Sequence, residues 1–244
     1  MKYLSSKSTT LAVTILAASL LSACGSSSDD DDVVVVDVPD EISMVSYDIT
    51  LTNLTANQPL SPLAAQLHAS DYQAWKVGSV ASESLEMLAE GGDNAALLAV
   101  DSASVYSAVS GTGAVAPGVT QTLTISAEET GEMELTLLTM LVNTNDAFAG
   151  KTGLDLSALA MGESMKQFLP VYDAGTEGNS ELAGTIPGPA DDGGEGFNMA
   201  RDDVDFVARH PGVVGMDHGY SESVLNSTHG FDSPVAVLTV TRTQ

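Results

Sequence analysis

Basic residues are scarce in this chain. Eight Lys and Arg stand against 33 Asp and Glu over 244 residues, a formal net charge of −25. So acidic a surface repels nucleic acid and anionic lipid headgroups, and no nucleic-acid partner is expected. It suits divalent cations, cationic partners or a salty medium, and a halophilic or marine source would explain it with no function attached. Cysteine is almost missing. Cys24 stands alone, so no intrachain disulfide can form and no thiol nucleophile lies in the folded region. Also absent are a Gly-x-Ser-x-Gly elbow, a phosphate-cradling Gly loop and a His-Glu-x-x-His pair. The apolar run Thr9 to Leu21 is too short to cross a bilayer comfortably.

That run has the form of a targeting segment. Lys2 and Lys7 precede it, and Leu21-Ser22-Ala23-Cys24 follows it. These four residues resemble the lipobox of bacterial lipoproteins. The resemblance implies that residues 1–23 are a signal peptide, cleaved before Cys24, and that Cys24 is acylated. The expected partner is then the lipid bilayer, and the expected place is the bacterial cell envelope. Gly25 after the Cys, in place of Asp, favours the outer membrane under the enteric sorting rule. Residues 24–42 read as an acidic tether: Ser26 to Ser28 and Asp29 to Asp32 cannot bury a core, and like charges extend the chain. Val33 to Val36 is a β-prone run within it.

Residues 43–244 suffice for one domain with a sizeable core. The pattern is mainly β. Met44 to Asn53 alternates with β-branched residues. Val119 to Ala127 places Val119, Gln121, Leu123, Ile125 and Ala127 on one face. Glu132 to Val142 is apolar after Glu134, as a central buried strand requires. Glu128 to Gly131 between them reads as a tight hairpin turn. Pro234 to Arg242 alternates again. Val80 to Glu90 predicts a helix with Val80, Ser84, Leu85 and Leu88 on one side, stopped by Gly91-Gly92. Asn94 to Val100 predicts a second, short one. The expected fold is an antiparallel β-sandwich with one or two short helices in the connections.

The chemistry gathers at Tyr172-Asp173-Ala174-Gly175-Thr176-Glu177-Gly178-Asn179, where the apolar Phe168 to Tyr172 reads as a strand emptying into a loop. Gly175 lets the backbone curl so that Asp173 and Glu177 aim at one point. Converging carboxylates repel unless a cation or shared proton sits between them. Ca²⁺ takes six to eight oxygens from such loops. A solvated acidic turn is the alternative. The acidic Gly-rich stretch Ala190 to Gly196 reads as a mobile loop near the ion. Asp217-His218 and His229-x-x-Asp232 are too loosely spaced for zinc, and His210-Pro211-Gly212 reads as loop punctuation. Met133, Met140, Met161, Met165, Met199 and Met216 read as core fillers. Asp173 paired with Glu177 or Glu181 could be a hydrolase pair, but one short loop puts both acids on the same side of a glycosidic bond. No enzyme is expected.

Asn53-Leu54-Thr55, Gln58, Leu60-Ser61-Pro62, His68 and Gly78-x-x-Ala81-Ser82 form a pattern that continues through Tyr172 to Glu177, Ile186-Pro187-Gly188-Pro189 and Ser233 to Ala236. It resembles the spondin N-terminal domain in its bacterial form. The resemblance implies a β-sandwich similar to C2 domains and a bound Ca²⁺. It assigns the ligands to Asp146, in Asn145 to Gly150, and to Asp173 and Glu177. Glu177 stands where the animal pattern has Asp, and the animal cysteines are missing. The expected function is a lipid-anchored, calcium-binding module for adhesion or for a protein or glycan ligand. The alternatives are an envelope protein that the ion only stabilises, and a carbohydrate-active hydrolase.

Overall fold

The computed structural model describes residues 42–244. The signal segment, Cys24 and nearly all of the tether lie outside the described residues. The described chain forms two antiparallel sheets. The four-stranded sheet runs β4 (Thr120–Glu128), β1 (Met44–Asn53), β10 (Ala236–Arg242) and β7 (Ser164–Leu169). The six-stranded sheet runs β3 (Val105–Ser110), β2 (Ala64–His68), β5 (Glu134–Met140), β6 (Ala147–Asp155), β8 (Val171–Asp173) and β9 (Ala208–Arg209).

Alternation builds the first sheet. Val45, Tyr47, Ile49 and Leu51 of β1 turn inward with Leu238 and Val240 of β10. They meet Leu135 and Leu137 of β5 across the sandwich. The outer face of β1 and β4 is a polar ladder: Ser46 with Ser126 (2.6 Å), Thr50 with Thr122 (2.8 Å) and Thr52 with Thr120 (2.8 Å). Such cross-strand pairs fix register at the cost of no apolar exposure.

The second sheet is covered on both faces, which is why β5 is buried from Leu135 to Met140, Thr136 and Thr139 included. One face meets the first sheet. The other takes α1 (Glu83–Gly91), whose Leu85, Leu88 and Ala89 pack on Leu138, Met140 and Phe148. Ser82 caps α1, its hydroxyl accepting from Leu85 N–H (3.2 Å). Gly92 ends it in the left-handed conformation, φ 69°. The second helix, α2, covers Ala95–Leu98.

Four expectations are corrected. Glu128 to Gly131 is not a hairpin turn: β4 pairs with β1 and β5 with β2 and β6, so the segment crosses between sheets. The Ser/Thr ladder draws β4 to β1, while β5, buried on both faces, belongs under the helix. Phe168 to Tyr172 is not one strand. Pro170 separates β7 from β8, and the chain changes sheets there. Val80 is 61% exposed, because α1 starts at Glu83 beyond it. Met133 and Met140 are buried, but Met161, Met199 and Met216 sit on loops at the surface and fill no core.

Candidate metal centre

The antiparallel pair β6–β8 sets the site. Ala147 lies opposite Asp173, Phe148 opposite Tyr172 and Ala149 opposite Val171. Asp146, just before β6, and Asp173, the last residue of β8, therefore meet at one end of the sheet. A floor of Trp75, Phe148 and Tyr172 lies beside them, with Phe148 stacked on Tyr172 at 5.3 Å and Trp75 edge-on to both.

Asp146 is fully buried. Its Oδ2 accepts from Thr176 N–H (2.9 Å), Glu177 N–H (3.2 Å) and the Thr176 hydroxyl (3.3 Å). Its Oδ1 is buried and has no partner. Burial, reinforced by the Asp173 charge, pushes the Asp146 carboxyl up to about 7. Asp173 is also raised by burial. Its Oδ1 accepts from Gly175 N–H (2.7 Å), and its Oδ2 from Asn179 Nδ2 (2.6 Å). Glu177 is half-buried, and its Oε1 accepts from Asn145 Nδ2 (3.1 Å). Burial, together with the charges of Glu90, Asp146 and Glu195, pushes it up to about 8. All three expected acids thus lie at one end of the second sheet, where the Asp173 charge raises Asp146 and the Asp146 charge raises Glu177.

Gly175 earns its place twice. Its φ is +71°, and a Cβ there would come within 2.3 Å of the Phe206 carbonyl oxygen. Only glycine lets the loop pass under residues 202–207, where Asp205 N–H donates to the Gly175 carbonyl (2.7 Å) and Asp202 N–H to that of Thr176 (3.1 Å).

Several supporting residues escaped the sequence. Asn145 bridges Glu177 and the Thr185 carbonyl, and its Oδ1 accepts from Glu181 N–H (3.2 Å). His210 is part of a relay. Gly212 N–H donates to His210 Nδ1 (3.0 Å), so His210 Nε2 donates to Asn179 Oδ1 (2.9 Å), and Asn179 holds Asp173. Burial depresses the His210 imidazole to about 4, which keeps it neutral for this task. His210 is therefore more than loop punctuation. It lies 37 positions beyond Asp173 in sequence, and no local pattern joins the two. Glu90, on α1, had a legible signal: an acid in a helix's last turn opposes the helix dipole. Glu181 is buried, both its oxygens accepting from Val214 N–H.

A family model described as Spondin_N matches residues 52–187. The chain belongs to the spondin N-terminal domain family. No curated protein matches it. The matched span contains Asp146, Asp173, Glu177 and Glu90. As the side chains of this spondin domain stand, no group of three or more His, Cys, Asp or Glu among the described residues is drawn tightly enough to hold an ion. In kind, however, the donors fit a hard cation: oxygens only, an unpartnered Asp146 Oδ1, and no cationic side chain hydrogen-bonded to Asp146, Asp173 or Glu177. Above Glu177 opens a cavity of about 430 Å³ lined by Glu177, Asn179, Ser180, Glu195, Asn198 and Asp202, among others.

Proposed function

We propose that this spondin domain binds Ca²⁺ through Asp146, Asp173 and Glu177, and that it serves as a ligand-binding or adhesion module held at the bacterial outer membrane by acylated Cys24. The observation that carries the calcium reading is the fully buried Asp146, whose Oδ1 has no partner beside a second acid. A buried carboxylate oxygen costs free energy until a proton, donor or cation meets it. The polar cavity over Glu177 supports a ligand role, since a partner's carboxylate or sugar hydroxyls reach an ion from it.

Calorimetric titration of the full-length protein in detergent tests the site. The expected dissociation constant is around 10⁻⁴–10⁻³ M, as for other extracellular calcium modules. Asp173→Ala should abolish the heat of binding. If wild type and Asp173→Ala bind alike, the site is wrong. The ligand role is tested on a glycan array and by partner capture, each with calcium and with chelator. A partner retained only with calcium supports a bridging ion. A higher melting midpoint with calcium but no calcium-dependent partner supports an ion that only ties the loops together. Cys24→Ser should release the protein from the membrane fraction.

A further inference from the structure

Glu90 is a buried acid without a cationic partner. It is 1% exposed, and its Oε1 is buried with no partner. Its Oε2 accepts from Asn198 N–H (2.8 Å). It sits in the last turn of α1, where the helix dipole disfavours an anion, and that turn holds no basic residue. The nearest candidate cation is committed elsewhere: Arg201 spends Nε and Nη2 on Glu86, Nη1 on Asp205, and Nη2 again on the Ala81 carbonyl. Glu86, one turn earlier, also has an unpartnered Oε1, but its Oε2 is paired with Arg201, whereas neither oxygen of Glu90 meets a cation.

Glu90 faces the metal centre. The Thr176 hydroxyl, which donates to Asp146 Oδ2, also lies near Glu90. One hydroxyl carries one proton, so it cannot satisfy both acids. Asn198, on the other side of Glu90, lines the cavity that Glu177 also lines. The segment from Asn198 to Asp202 closes the circle, running from α1 to the Thr176 carbonyl and to Gly178 N–H. Two fully buried acids, Asp146 and Glu90, thus each carry an unpartnered oxygen, and both neighbour a single residue, Thr176.

Resting on the calcium reading above, we infer that Glu90 is a further carboxylate ligand of the same cation centre, so that the ion ties α1 to the loop after β8. Calcium affinity in such sites follows the number of charged ligands.

The test compares Glu90→Gln, Glu86→Gln and Asp173→Ala in full-length protein, by calcium calorimetry and by thermal melting in chelator. Gln at 90 fills the same space and keeps an acceptor for Asn198. Glu90→Gln should weaken calcium binding about tenfold or more, and in chelator it should melt no lower than wild type, because an uncompensated buried charge is gone. Glu86→Gln, one turn away on the same face, should lower the midpoint by breaking the Arg201 pair and leave calcium affinity unchanged. Wild-type affinity in Glu90→Gln, with binding lost in Asp173→Ala, overturns this inference and leaves the calcium reading standing. Equal losses of affinity in the Glu86 and Glu90 variants show an effect of helix packing and overturn it too. A Glu90→Gln protein that melts below wild type in chelator shows a charge already compensated and likewise overturns it. No binding by wild type overturns both readings.

Discussion

At the scale of single residues, the site is held by backbone conformation and by neutral donors. Gly175→Ala meets both a positive φ and the Phe206 carbonyl. It should cost more than about 1 kcal/mol of stability, read by urea denaturation. His210→Ala removes the far end of the relay to Asp173. The expected loss is about 1 kcal/mol, with weaker calcium binding, since Asn179 is no longer aimed. Unchanged affinity would show that Asn179 holds Asp173 unaided. Asp146, Asp173 and Glu177 were legible as acids from their loop and from the family pattern. Their neutral supports were not, because hydrogen bonds between Asn145 and Glu177 or His210 and Asn179 join residues 31 or 32 positions apart.

Among the elements, α1 matters most to the site. Leu85 and Leu88 are fully buried against the second sheet, and Glu90 follows on the same helix. Leu88→Ala should destabilise by about 2–5 kcal/mol, measured by chemical denaturation, through lost burial and the cavity left behind. The strand β6 was the element least legible in the sequence. Its Ala-Phe-Ala-Gly-Lys-Thr-Gly run is poor in strand formers. The structure explains the glycine: a Cβ at Gly150 would come within 2.6 Å of the Leu137 carbonyl and 2.9 Å of Trp75. Close approach of neighbours, invisible to local propensity, selects the residue there.

For the whole molecule, the acids make stability depend on pH. Asp146 and Glu177 are raised in the folded, metal-free protein, to about 7 and about 8, above their ordinary values of 3.8 and 4.5. The folded state then binds protons more tightly than the unfolded chain. That contribution is complete at low pH and is lost as pH rises through the folded values. In chelator, the melting midpoint should fall from about pH 6.5 to about pH 8.5. Half-buried His210, pushed down to about 4, is neutral in the folded state across this window, but the unfolded imidazole, near 6.5, still gives up its proton at the lower end and so offsets a small part of the fall. Calcium should reverse the fall, and the shift it produces should widen with pH, because the ion competes with protons for the same oxygens. Melting curves at both pH values, with calcium and with chelator, check this. A calcium shift that is larger at the lower pH would contradict it.

Alternation and composition, local properties of the chain, were enough to determine a β-sandwich, the strand Met44–Asn53, the capped helix before Gly91-Gly92, and an acidic loop at Asp173 and Glu177. Only the tertiary structure decided which strands share a sheet, because pairing depends on faces that meet at long range. It alone set β4 on β1 across from β5, moved the chain between sheets at Pro170, and brought Glu90, Asp146 and His210 around one loop. The burial that raises Asp146 and Glu177 follows from that placement: a carboxylate resists ionisation according to the water and partners around it, and these are assembled from distant parts of the chain.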